Sequence, residues 1–261
     1  MKIVSLLTDF GDQDGFVGTM KGVILSINPS VQLVDISHKI PAHNIDIGAY
    51  VLHSAYTYFP HGTIHVAVVD PGVGSNRNIV ICEANEQFFI APDNGILKFV
   101  YEKFNIEKVI NVTNSVYFLS EISQTFHGRD IFAPVAGHLS VHQIPAMFGA
   151  ETTTFEKGKI PKLNWGDHSI EGEIVYIDKF GNLISNITQS EFIRLCRSRN
   201  IAIEIKDVYL QKIHKSYEDG EHLTPLALWG SGGTLEVAIK QASAAKILNV
   251  EIGENIRLRW F

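Results

Sequence analysis

Thr63-Ile-His-Val-Ala-Val-Val69, running directly into Asp70-Pro-Gly-Val-Gly-Ser-Asn-Arg77, is the stretch that decides the fold. Apart from His65, residues 63–69 are apolar or β-branched throughout, without the polar alternation of a half-exposed strand. That continuity predicts a strand buried on both faces, as in a parallel sheet covered by helices. Upstream, residues 3–7 and 31–36 read as two further strands. Between them Phe16, Met20, Val23, Ile24 and Ile27 recur at helical spacing and stop before Pro29. A second helix spans 45–59 and closes at Pro60. Downstream, strands are expected at 79–82, 88–91 and 109–112, with helices at 96–104 and around 129–139.

This alternation predicts a mainly parallel, Rossmann-like α/β domain over residues 1–155. Ligands bind such sheets beyond the strand ends, where Asp9, Asp70 and Asp93 each follow an apolar run. Between 152 and 167 Thr, Lys, Gly and Pro cluster without periodicity, and 156–168 reads as a linker. Residues 169–261 form a second domain. Short strand-like runs at 173–177, 183–187, 201–205, 226–229, 235–239 and 256–260 predict a small antiparallel β-barrel, with helices only at 191–197 and 241–248.

The bulk composition excludes several roles. The 261 residues are 45 % hydrophobic and 19 % charged, ordinary for a protein with a sizeable core, and the net charge of −6 offers no basic field for nucleic acid. No apolar run approaches the ~20 residues that cross a bilayer, and the N-terminus lacks the apolar core of a signal peptide. Cys82 and Cys196 read as reduced thiols, which predicts a cytoplasmic protein without a disulfide framework.

Several polar constellations interrupt the apolar pattern. Thr8-Asp9-Phe10-Gly11 is followed by Asp12 and Asp14. A carboxylate at a strand end suits a ribose diol, whereas three carboxylates in six residues also suit a divalent cation. Asp14 serves equally as a helix cap or a ligand. Asp70 to Arg77 is a glycine-rich turn that returns a fixed positive charge, either a surface ion pair or part of a site. Thr125-Phe126-His127-Gly128-Arg129-Asp130 places one of 11 histidines at a helix start among glycine and charges. Arg129 and Asp130 read as a first-turn pair or a subunit contact. Pro92-Asp93-Asn94-Gly95 is a turn and helix cap. Asp178-Lys179-Phe180-Gly181-Asn182 is a hairpin turn whose Asn182 amide also suits an adenine edge. Gly230-Ser231-Gly232-Gly233 is a flexible turn or a carboxylate site.

In this order and spacing the motifs resemble one family, the S-adenosylmethionine (SAM) hydroxide adenosyltransferases, relatives of the SAM-dependent fluorinase and chlorinase. The likeness is carried by residues 8–11, 21–24, 69–74, 91–95, 125–130 and 180–182. It implies an N-terminal α/β domain and a C-terminal β-barrel, in a homotrimer with SAM at subunit interfaces. It also implies hydrolysis of SAM to adenosine and methionine, with no metal and no cofactor beyond the substrate. By resemblance Asp70, Arg77 and His127 are the catalytic set of the water users: Arg77 stabilises the developing negative charge, while Asp70 and His127 orient the water and accept or relay its proton. Asp9 would hold the ribose hydroxyls, Asn182 the adenine, Asp178 the methionine amino group and Ser231 its carboxylate. Phe126 and Phe180 would line the pocket, and Asp14 is retained as a substrate-binding candidate.

Some positions depart from the halide-using relatives. Gly128 stands where the fluorinase has a fluoride-binding serine, His43 takes the place of a pocket tryptophan, and residues 228–233 lack the arginine that meets the methionine carboxylate. The fluorinase's extra loop in the first domain is absent from the aligned stretch. Three rivals remain: a chloride-using transferase, a non-catalytic SAM or adenosine sensor, and a metal-dependent phosphohydrolase with Asp9, Asp12, Asp14 and His127 as ligands.

Overall fold

A computed structural model describes residues 2–142, 144–195 and 200–261. Two compact units divide the chain, at 1–160 and 161–261. The first is built on strands β1 (Ile3–Thr8), β2 (Gln32–Ser37), β3 (Ile64–Val68), β4 (Ile79–Ala84), β5 (Gln87–Pro92), β6 (Ile106–Val112) and β7 (Gly149–Glu151). They form one sheet in the order β2-β1-β3-β5-β4-β6-β7. The pairs β1–β2, β1–β3 and β3–β5 are parallel, and β4 enters antiparallel between β5 and β6. The mainly parallel sheet read from the sequence is therefore present. What the strand pattern did not disclose is the tight β4–β5 hairpin, turned by Asn85 and Glu86, both at positive φ. Such a two-residue turn matches the twist of paired strands, but Asn-Glu lacks the glycine that usually announces it.

The central position of β3 explains its composition. Ile64, Val66 and Val68 pack into the core on one face and Ala67 and Val69 into the core on the other, all at most 2 % exposed. Helices α1 (Phe16–Ile27) and α4 (Ala133–His142) serve the first face, and α2 (Ile45–Tyr56) and α3 (Lys98–Lys103) the second. Each fully buried Val or Ile contributes about 1.5–3 kcal/mol, so β3 anchors both layers. His65, the polar exception, is fully buried; its Nδ1 lies 2.6 Å from Ser5 Oγ on β1, and its ring stacks on Phe89. Burial pushes its pKa down to about 3, which keeps the ring neutral inside the core.

The second unit contains β8 (Asn164–Gly166), β9 (Ser169–Ile177), β10 (Leu183–Thr188), β11 (Ile201–Ile205), β12 (Val208–Leu210), β13 (Ile213–His214), β14 (Pro225–Trp229), β15 (Thr234–Ile239) and β16 (Asn255–Trp260). Apart from the parallel pair β13–β14 they pair antiparallel in a barrel-like sheet around one core of Ile170, Leu183, Leu235, Val237, Leu258 and their neighbours. Its helices are α5 (Gln189–Leu195) and the short α6 (Ala244–Ile247). Cys196 and the end of the expected 191–197 helix lie outside the described residues. Cys82 is buried in β4, where burial pushes its thiol up to about 12. Among the described residues, no helix is long and apolar enough to cross a membrane.

Candidate active site

Parallel pairing places Thr8 beside Val68 and Val66 beside Ile90, so the polar residues after β1, β3 and β5 emerge at the same edge of the sheet. Asp70 follows β3 there. Asn94 holds the strand end by donating from Nδ2 to the Val69 carbonyl at 2.9 Å. The 92–95 motif read as structural thus fixes the residue next to Asp70. Gly74 brings the following turn against residues 123–127: it adopts φ 79°, and a Cβ there would overlap the Gln124 carbonyl oxygen.

That close approach assembles Asp70, Arg77 and His127. Arg77 Nε donates to Asp70 Oδ1 at 2.8 Å and Oδ2 at 2.7 Å, and Nη2 donates to Oδ2 as well. Nη2 also lies 3.0 Å from His127 Nδ1. A guanidinium only donates, so Nδ1 must accept and the neutral ring carries its proton on Nε2. The side chains of Asp70 and Arg77 are 5 % and 11 % exposed, too dry for an ordinary surface pair. His127 is buried too; burial, then the Arg77 charge, holds its pKa below the usual histidine value against the opposing pull of Asp70 and Asp130.

His127 enters a π-helical turn, Gly128–Phe132, that leads into α4, an irregularity frequent at functional sites. Its geometry rests on Asp130, which is fully buried and accepts the Ser123 backbone N–H at 2.8 Å and Arg129 Nε at 2.6 Å. Arg129 and Asp130 are therefore paired within the chain. Gly128 is packed so tightly that a Cβ would stand 3.1 Å from carbons of both Phe10 and Phe126 and 3.2 Å from Met20 Sδ. Phe126 forms an edge-to-face cluster with Phe10 and Phe16.

Asp9 accepts the His43 backbone N–H on Oδ2 at 2.8 Å, and His43 adopts φ 66° to present it. Asp14 is exposed, and the cap position of α1 belongs to Gly15 without a side-chain cap, so the capping role considered for Asp14 is corrected. Glycine at that position needs no side-chain oxygen to accept the non-helical backbone. Asp12 pairs with Lys39 at 2.9 Å. Among the described residues no group of three or more His, Cys, Asp or Glu is arranged to hold a metal ion, and the acidic set around Asp9 does not converge on His127.

In the second unit Asp178 organises its own hairpin. Its Oδ1 accepts the Phe180 and Asn182 backbone N–H groups, and its Oδ2 accepts Asn182 Nδ2, each at 2.9 Å. Asn182 Oδ1 is left as an acceptor. Phe180 is 75 % exposed and Ser231 is also exposed. Two residues the motif reading passed over stand near this hairpin: Glu236, 8 % exposed, and Tyr217, whose hydroxyl donates to Glu236 Oε2 at 2.8 Å. A carboxylate at an otherwise apolar strand position was the available signal.

An α/β unit with a dry Asp–Arg–His cluster at its strand ends, followed by a barrel unit with polar hairpins, describes a small-molecule enzyme. The comparisons give the family. The chain matches the model of the SAM hydroxide adenosyltransferase N-terminal domain over residues 4–149 and that of the C-terminal domain over 172–257. It is 35 % identical to the (R)-S-adenosyl-L-methionine hydrolase of Methanocaldococcus jannaschii, covering 99 % of this chain and 96 % of that protein. It is 25 % identical to a fluorinase of Nocardia brasiliensis over 98 % of this chain and 96 % of that one. An uncharacterised conserved protein of Thermotoga maritima superposes with a TM-score of 0.92 at 32 % identity, covering 98 % of this chain and 99 % of that chain. The chain belongs to the SAM hydroxide adenosyltransferase family.

Proposed function

We propose that the protein hydrolyses SAM to adenosine and L-methionine by attack of a water-derived oxygen on the ribose 5′ carbon. The observation that carries this reading is the Asp70–Arg77–His127 cluster in a chain that matches both domains of the family. The new C5′–O bond forms as the C5′–S bond breaks, its electron pair staying on sulfur, so the cationic sulfonium leaves as a neutral thioether. The water gives up one proton. Opposite charges cancel along the path, which a site poor in solvent favours.

Bulk water has a pKa of ~15.7, so the demanding task is to hold hydroxide near neutrality. Arg77 supplies fixed positive charge, and Nη1 makes no hydrogen bond among the described residues. Neutral His127 accepts from Arg77 Nη2 while the Ser123 backbone engages the ring's remaining N–H, so the imidazole holds the guanidinium in place as the donor that stabilises the anion. Asp70 holds the guanidinium in plane. A proton on His127 Nδ1 would set two donors against each other, and a proton on Asp70 would weaken its bond to Arg77. The cluster therefore works by stabilising hydroxide and lets the proton pass to solvent.

Asp9, whose Oδ1 makes no hydrogen bond among the described residues, receives the ribose hydroxyls, and Phe126, packed against Gly128, lines the substrate site. Asn182 reads the adenine, Asp178 and Ser231 face the amino-acid end, and Phe180 covers the ligand. The reaction needs neither metal nor cofactor, because the sulfonium is already an activated leaving group. Assembly into a homotrimer that completes each site, and a cytoplasmic setting, belong to the same proposal. They rest on the family resemblance.

A chelator-treated sample incubated with SAM in oxygen-18 water tests the activity. Labelled adenosine and methionine are expected; intact SAM that binds without turnover would replace the enzyme with a sensor. Chloride addition yielding a chlorinated nucleoside would favour the halide reading.

A further inference from the structure

We infer that Glu236, held by Tyr217, is a further specificity-determining residue, which with Asp178 receives the α-ammonium group of the substrate's amino-acid end. The inference rests on the reading of the chain as a SAM hydrolase and adds a recognition residue to it.

The starting point is a carboxylate where the fold asks for a hydrocarbon. Glu236 lies on β15, opposite Ile184 of β10 and Leu228 of β14, on the face it shares with Ala238. Ile184, Leu228 and Ala238 are all nearly fully buried, and Glu236 itself is 8 % exposed. A leucine there would be easier to bury, since removing a carboxylate from water needs strong compensation. The compensation within the chain is thin. Tyr217 hydroxyl donates to Oε2, Oε1 has no hydrogen-bond partner, and no Lys, Arg or His pairs with the group among the described residues. The nearby charge is the wrong one: Asp178 acts on both Glu236 and Tyr217. Burial, reinforced by Asp178, raises the Glu236 carboxyl above the usual range, a demand that a cation would relieve.

Position links this demand to the substrate. Glu236 Oε1 lies across the Cα of Gly230, where any Cβ would overlap it. Gly230 opens the turn that carries Ser231, closed by Gly230 N–H to Thr234 O and Gly233 N–H to Gly230 O, both at 2.9 Å. The carboxylate thus stands at the base of the turn assigned to the amino-acid end. Asp178 has little acceptor capacity left for an ammonium, because it already accepts three N–H groups of its hairpin. An ammonium brings three donors and no acceptor. The free Glu236 oxygen supplies an acceptor, and its negative charge completes the match.

The test compares SAM with its deamino analogue, which keeps the sulfonium and carboxylate, in the wild type, Glu236→Gln and Tyr217→Phe. Glutamine keeps the volume and an acceptor for Tyr217 while removing the charge. Losing a hydrogen bond to a charged group predicts a drop in kcat/KM for SAM of about 10- to 100-fold, mainly through KM. The deamino analogue should change by no more than about twofold on the same argument. Tyr217→Phe should show a smaller loss with the same selectivity. An equal loss on both substrates, or no loss on SAM, overturns the inference, and a thermal melt identifies a variant that has merely unfolded, in which case Tyr217→Phe decides. Wild-type protein that turns over neither substrate would overturn the proposed activity, and this inference with it.

Discussion

The two polar regions of the molecule differ in how far the chain finishes them. Around Asp70, Arg77 and His127 every group is held: the carboxylate and guanidinium are paired twice over, the imidazole is fixed by one tautomer, and the strand end is tied by Asn94. Around Asp178 and Asn182 the hairpin is ordered, but Phe180 and Ser231 face solvent and Glu236 has no cationic partner among the described residues. The contrast fits the chemistry proposed for each region. A group that must stabilise hydroxide has to be in place before the substrate arrives, because reorganisation during reaction would consume the benefit. Groups that recognise a ligand can be completed by the ligand itself.

The largest effect should come from breaking the finished region. Arg77→Ala leaves Asp70 buried without its partner, which should destabilise the fold by about 3–5 kcal/mol and lower kcat by about 1,000-fold. Asp70→Asn keeps the shape; it should lose rate on a similar scale while SAM affinity, measured by calorimetry, stays nearly intact. A kcat within tenfold of wild type in both variants would remove the cluster from the chemistry. Next in size is Asp9→Ala, which should raise the dissociation constant for SAM about 10- to 100-fold with a smaller change in kcat. Equal loss of affinity in Asp9→Ala and Asp70→Asn would erase the division of labour between binding and reaction.

The first region was also the more legible in sequence, for a physical reason. A strand buried on both faces must be apolar along its length, so 63–69 declares itself, and the polar residues that follow it stand out. The two stretches that meet at Arg77 and His127 are 50 residues apart, and the family resemblance linked them where spacing could not. Local signals failed where the chain departs from regular rules. The Asn85–Glu86 turn carries no glycine, the π-turn at Gly128–Phe132 looks like ordinary helix, and β13 with two residues is too short for periodicity. Glu236 gives only a weak signal, because a single charged residue in a strand reads as a solvent-facing one. Its burial and its neighbours Leu228 and Ala238 show that it is covered on the face of β15 opposite the barrel core of Leu235 and Val237.

Smaller effects sharpen the comparison. Gly128→Ser adds atoms among Phe10, Phe126 and Met20. It should cost about 1–3 kcal/mol of stability by denaturant titration, and chloride-dependent product formation should stay absent. The pH response tests the tautomer. His127 has a folded pKa below its unfolded value of about 6.5, so the unfolded chain takes up the proton first as pH falls. The neutral ring's contribution to stability is then full above that value and lost as pH drops through the folded pKa. Turnover should follow the folded ring, still holding at about pH 6.5 and failing only as the pH drops through the lower folded pKa. A rate that rises on acidification would contradict a neutral His127 that accepts from Arg77.

The smallest structural effect should be at the open region, and it is the more informative for that. Phe180 is 75 % exposed and its backbone, not its ring, takes part in the Asp178 turn. Phe180→Ala should therefore leave the melting midpoint nearly unchanged, within about 0.5 kcal/mol. If the ring covers bound SAM, the same variant should raise KM by about tenfold through lost aromatic contact, with kcat largely preserved. A fall in kcat instead would mean that the exposed hairpin controls the reacting geometry as well as affinity. The substrate-facing region would then govern the reacting geometry as the nucleophile's region does, and the contrast between the two would not extend to the complex with substrate.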